Sequence, residues 1–191
     1  TLPFNFFLEN ILGDNWRGWP YTLLNEKYYF SFHIPKLYII INLIFKSPEY
    51  FLLSYIIFIF IILKSNKFYK NQFNFFYYKL VLIFSVIALP NLILFIVPFP
   101  AYDGMRLFLW SVPYFCIIPA LVIYFLIENY KLLIVKTTLL LLLVLASYSL
   151  FNFFSITPYQ YSYLNILNGQ NGYQKFENDY WGVSIKELIK K

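Results

Sequence analysis

The chain has 191 residues, 60% of them hydrophobic and only 13% charged. A water-soluble domain of this size carries roughly a quarter charged residues, so a water-solvated globule is set aside and lipid is the expected solvent for the long apolar runs. The net charge of +6 is spread along the chain without a basic block, which gives nucleic-acid binding little support.

The chain opens on Thr1 with no basic-then-apolar signal segment, and its last residues, SIKELIKK, read as a helix just begun. Both ends read as cut, so the expectation is a piece of a longer protein. Residues 1–47 are expected to form a polar loop. Within it, LYIIINLIF (37–45) is too short to span, is bracketed by Lys36 and Lys46, and reads as a helix lying in the membrane interface. Just before it, YYFSFHIPK (28–36) carries the only histidine, His33. A lone histidine before a proline is either a surface or packing residue or a ligand contact, and both readings stay open.

Four runs follow that are long enough to cross: 48–64, 77–97, 108–127 and 132–154. A hydrocarbon core of about 30 Å needs about 20 helical residues, so the first run borrows from its flanks. Such backbone must be helical, because lipid offers no partner for bare N–H and C=O groups. Pro90, Pro113 and Pro119 interrupt spans two and three. The resulting kinks either border a cavity or serve packing alone.

Lysines set the expected orientation. The loop after span one holds Lys64, Lys67, Lys70 and Lys79, and the loop after span three holds Lys131 with Lys136 close by. The positive-inside rule puts both in the cytoplasm. The N-terminal segment, the loop around Asp103 and the tail 155–191 then share the outer face. The expected fold is an all-α membrane protein: about four transmembrane helices, an outer-face interfacial helix and a small polar C-terminal segment.

Chemistry is expected on that face. In PFPAYDGMRLFLW (98–110), Gly104 allows a tight turn, and Asp103 stands where an N-cap for span three would fall. Arg106 at the lip of that span suits a phosphate, because guanidinium binds its oxygens bidentately and keeps its charge. The alternative is an Asp103–Arg106 pair that only caps the helix. In the tail, Tyr159, Tyr161 and Tyr163 alternate and would share one face of an extended strand. Gly169 and Gly172 mark turns, and Ser184 with Glu187 forms a capping-box pattern. Glu177, Asp179, Tyr180 and Trp181 could bind and stack on a sugar, or pack the tail on the membrane. No phosphate-binding Gly-rich loop, metal-ligand spacing or Ser–His–Asp set is found. No carboxylate lies in mid-span, where the one charged residue is Lys136, and this argues against a channel or coupled transporter.

Three stretches resemble one family. YDGMRLFLWSVPYFCIIPAL (102–121) resembles the YDGxRHFLFxxPP segment of bacterial membrane glycosyltransferases of the GT-C superfamily, near the protein O-mannosyltransferases and lipid A aminoarabinose transferases. PYQYSYLNILNG followed by GYQKFENDYWGVSIKEL (158–188) resembles their PYQYxYFN and GxFExDYWGxSxxE stretch, and HIPKLYIIINLIFKSPEYFLL (33–53) is similar to their HIPWYYxPxxxxIKTPxxxLL segment. Leu107 replaces the family's histidine after the motif arginine, and Lys36 its aromatic after HIP.

The resemblance implies a polytopic enzyme of the bacterial inner membrane that moves a sugar from a polyprenyl-phosphate donor to an acceptor at the periplasmic face. The lipid-linked sugar is its substrate; the sequence itself requires no cofactor and leaves open whether a metal takes part. Arg106, with Asp103 and Tyr102, would hold the donor phosphate. His33, Glu177, Asp179, Tyr180 and Trp181 would face the sugar or acceptor. The catalytic acid would lie in an N-terminal half that this chain lacks, leaving no catalytic residue here and the piece inactive alone. Spans two and three would supply a groove for the lipid chain, and the tail a polar roof. The competing reading is a non-enzymatic subunit that scaffolds or moves cell-envelope polysaccharide, with scattered polar residues rather than one cleft. A lipid transporter ranks third.

Overall fold

The structure, a computed structural model, describes residues 21–96, 101, 104–157, 159–169 and 172–177. It opens on a hairpin of β1 (Tyr21–Leu24) and β2 (Lys27–Phe30), paired antiparallel with Tyr21 opposite Phe30 and Leu24 opposite Lys27. Asn25 and Glu26 turn the hairpin with φ of 50° and 70°, the left-handed pair that matches the twist of a tight two-residue connection. A 3-10 turn (Ser31–His33) leads to α1 (Tyr38–Lys46). Then come α2 (Glu49–Gln72), α3 (Phe76–Ile96), a 3-10 helix (Arg106–Ser111), α4 (Val112–Glu128) and α5 (Leu133–Ser155). Three short 3-10 turns, Gln160–Ser162, Ile166–Asn168 and Gly172–Gln174, carry the tail.

Among the described residues, four helical units are long and apolar enough to cross a membrane: α2, α3, Arg106–Glu128 and α5. The chain is therefore a helical integral membrane protein, to which the described residues add a small hairpin. The helices α2, α4 and α5 make the tight group, and α3 leans on α1, α2 and α4. Phe58 and Ile61 of α2, Ile118, Val122 and Leu126 of α4, and Val135 and Leu142 of α5 fill the shared core.

Two boundaries differ from the sequence expectation. The first span does not stop at Lys64. Ser65 takes φ −134° and breaks the helix locally, and α2 then resumes to Gln72. Beyond the break, Phe68 packs edge-on against Phe125 at 5.0 Å, and the fully buried Tyr69 donates its hydroxyl to the Leu121 carbonyl at 2.9 Å. The lysines around them suggested a loop, while the aromatics between hold the helix to α4. Second, Pro113 does not kink α4 from within. It stands in the first turn of α4, directly after the 3-10 helix, so the irregularity of span three lies at the junction between the two.

A second, smaller core forms at the end of the bundle where α1 meets α2. It gathers Leu24 of β1, Tyr38 and Ile39 of α1, Leu94 of α3, Ala101, Phe108 and Phe176. The tail returns to the hairpin here: Leu24 bridges Phe176, and Glu26 N–H donates to the Lys175 carbonyl at 3.3 Å.

Candidate functional site

Tyr38 is the anchor from which the site is built. Fully buried on α1, its hydroxyl accepts from the Gly104 N–H at 2.9 Å and pairs with Thr22 Oγ1 at 3.2 Å. The hairpin and the turn before α4 are thereby pinned to one helix face. Gly104 takes φ +60°, and the 3-10 helix then starts at Arg106 with Met105 in the N-cap position. That position is not residue 103, because the left-handed turn at Gly104 delays the helix; Asp103 itself lies outside the described residues.

Lys46, the last residue of α1, is the second element. Its ammonium donates to the Glu177 carbonyl at 3.2 Å and stands 4.7 Å from the centre of the Tyr161 ring. Lys46, Met105, Arg106, Leu109 and Tyr161 together line a cavity of about 360 Å³. Two cationic side chains, Lys46 and Arg106, thus stand on the described lining of one cavity.

The tail is held over α1 by amides. Asn165 Nδ2 donates to the Ile44 and Ser47 carbonyls at 2.6 and 2.8 Å, and Asn168 Nδ2 to the Phe45 carbonyl at 3.0 Å. These satisfy carbonyls that the end of a helix leaves without an internal partner. Glu49, which opens α2, accepts from Ser149 Oγ at 2.8 Å, Tyr163 Oη at 3.2 Å and the Ile166 N–H at 3.0 Å. Burial, with the Glu49 carboxylate beside it, pushes the Tyr163 phenol up to about 12, so it stays a donor.

Of the residues singled out from sequence, Arg106 lines the cavity; Glu177 does not, although it touches Lys46, which does. The Glu177 main chain accepts from Lys46 and its carboxylate from the Leu23 N–H at 3.3 Å. His33 does not line the cavity; it is exposed, with its ring 6.0 Å from Phe30. Tyr102, Asp179, Tyr180, Trp181 and the Ser184–Glu187 capping pattern lie outside the described residues. The alternating tyrosines do not share a strand face. Gln160–Ser162 is a 3-10 turn, which sends Tyr161 to Lys46 and Tyr163 to Glu49. From the sequence Lys46 is expected only to bracket an interfacial helix; its place beside Gly104 and Glu177 is made by the fold. Among the described residues no group of three His, Cys, Asp or Glu side chains could hold a metal. No protein-family profile, curated protein or solved structure matches this chain.

Proposed function

We propose that the chain belongs to a membrane glycosyltransferase that takes a sugar from a polyprenyl-phosphate donor and passes it to an acceptor at the outer face of the bacterial inner membrane. One observation carries this reading: Arg106 and Lys46, far apart in sequence, line one cavity between the end of α1, the 3-10 helix after Gly104 and the tail. Transfer from such a donor breaks the bond between the anomeric carbon and a phosphate oxygen, and the electron pair leaves with the phosphate. The acceptor's nucleophilic atom bonds to that carbon and gives up its proton to a base. Cations fixed beside that oxygen stabilise the developing charge. The Arg106 guanidinium can meet two oxygens side by side, and the Lys46 ammonium acts as a point charge. The general acid or base implied by the family resemblance belongs to neither residue, so donor binding is the property this chain should show by itself.

The scaffold reading has support of its own, since Arg106 is exposed and His33 stands off the cavity. Titration of the chain in phosphatidylcholine vesicles with a polyprenyl-phosphate sugar, and in parallel with neutral polyprenol, separates the two. Saturable binding of the phosphate lipid alone is expected. Arg106→Ala should weaken it about 10- to 100-fold, the equivalent of a charge-assisted contact of about 1.5–3 kcal/mol. Absent binding, or binding indifferent to Arg106→Ala, would overturn the proposal in favour of the scaffold.

A further inference from the structure

Lys46 belongs to two cavities at once. Besides the Arg106 cavity, it lines a second of about 440 Å³ between the start of α2 and the end of α5. The walls of this second cavity are apolar, with Pro48, Tyr50, Ala146, Leu150 and Phe153, while Ser149, Gln160 and Tyr163 give it polar groups. Ala146 lies nine residues before Ser155, the end of α5, roughly 14 Å along the helix at about 1.5 Å per residue. The cavity thus reaches from the rim of the bundle toward the middle of a hydrocarbon layer about 30 Å thick. Glu49, the carboxylate close to it, already accepts from three donors.

A larger apolar cavity of about 590 Å³ lies among α1, α2, α3 and α4, with Leu43, Ile44, Leu52, Ile87 and Asn91 on its walls. It is the space that the kinked spans two and three would have supplied. Neither Lys46 nor Arg106 lines it. A lipid whose phosphate is held by those two cations has its first isoprene units beside them, and the space continuous with Lys46 is the one between α2 and α5.

Resting on the reading above, we propose that the hydrocarbon chain of the phosphate lipid leaves Lys46 along the α2–α5 cavity and not along the larger cavity beside α3. Photo-crosslinking tests this. The chain, in phosphatidylcholine vesicles, is irradiated with a polyprenyl phosphate bearing a diazirine on an isoprene unit near the phosphate, and labelled peptides are mapped by mass spectrometry. Label is expected on Tyr50 and on α5 between Ala146 and Phe153. Unlabelled polyprenyl phosphate should remove it, and inorganic phosphate at the same concentration should not. Ala146→Trp or Leu150→Trp should cut the label several-fold, and Leu92→Trp should leave it. Label concentrated on Ile40, Ile87 and Leu92 would overturn the route while leaving the phosphate site standing. Protection by inorganic phosphate alone would show that the site takes the free ion and that the chain has no track. Label that no competitor removes would overturn both the route and the donor reading.

Discussion

At residue 104 the backbone sits at φ +60°, and a methyl group there would stand 2.8 Å from Lys46 Nζ and 3.2 Å from Asn42 Oδ1. Alanine costs about 1–2 kcal/mol in the left-handed region. The clash with Lys46 is with the end of a flexible side chain, so it can be relieved, but only by moving the ammonium from Tyr161 and the Glu177 carbonyl. Gly104→Ala is therefore expected to weaken donor-lipid binding several-fold, and to add little in a Lys46→Ala background. A double-mutant cycle on lipid affinity measures this coupling; full additivity would mean that Gly104 acts without Lys46. The YDGMR string was enough to read a tight turn and an arginine at the lip of a span. It could not show that Lys46 fills the space beside the glycine, because that contact is made only once α1 and the turn are docked through Tyr38.

The same division between what is local and what is not holds for the helices. Pro119 has no N–H, so the Phe115 carbonyl loses its partner within α4. The Tyr55 hydroxyl, reaching across from α2, donates to that carbonyl at 3.0 Å. Interhelical bonds in membranes average about 0.6 kcal/mol and reach about 1.7; an acceptor with no helical partner belongs near the upper end. Tyr55→Phe should thus destabilise the bundle by about 1.5 kcal/mol. In a Pro119→Ala background, where residue 119 regains its N–H, the loss should fall by more than half, as read from unfolding in detergent. Equal losses in both backgrounds would show that Tyr55 works through packing. The spans themselves were legible because twenty apolar residues in a row have few alternatives in lipid. The extension of α2 past Ser65 was not, because Lys64, Lys67 and Lys70 hide the aromatic pair Phe68 and Tyr69. The alternating tyrosines misled for a related reason: period two signals a strand only when a strand exists to carry it, and here a 3-10 turn does.

Across the whole molecule, polar chemistry is divided between the two ends of the bundle. Lys64, Lys67, Lys70, Lys79, Lys131 and Lys136 lie at or near the α2–α3 and α4–α5 connections. The hairpin, the Gly104 turn and the tail meet at the other end through Tyr38, Lys46 and Phe176. In our proposal the lysine-rich end is cytoplasmic, and the cation-lined cavity faces out with its lipid entering from the side. The most direct measurement of this account is phosphorus–nitrogen dipolar coupling by solid-state magnetic resonance. The chain, labelled at arginine and lysine side chains, is placed in vesicles of phosphorus-free galactolipid with polyprenyl phosphate as the sole phosphate. The account predicts phosphorus within about 4 Å of both an arginine guanidinium and a lysine ammonium, the first signal lost in Arg106→Gln and the second in Lys46→Gln. Coupling to neither, or coupling that survives both substitutions, would contradict it.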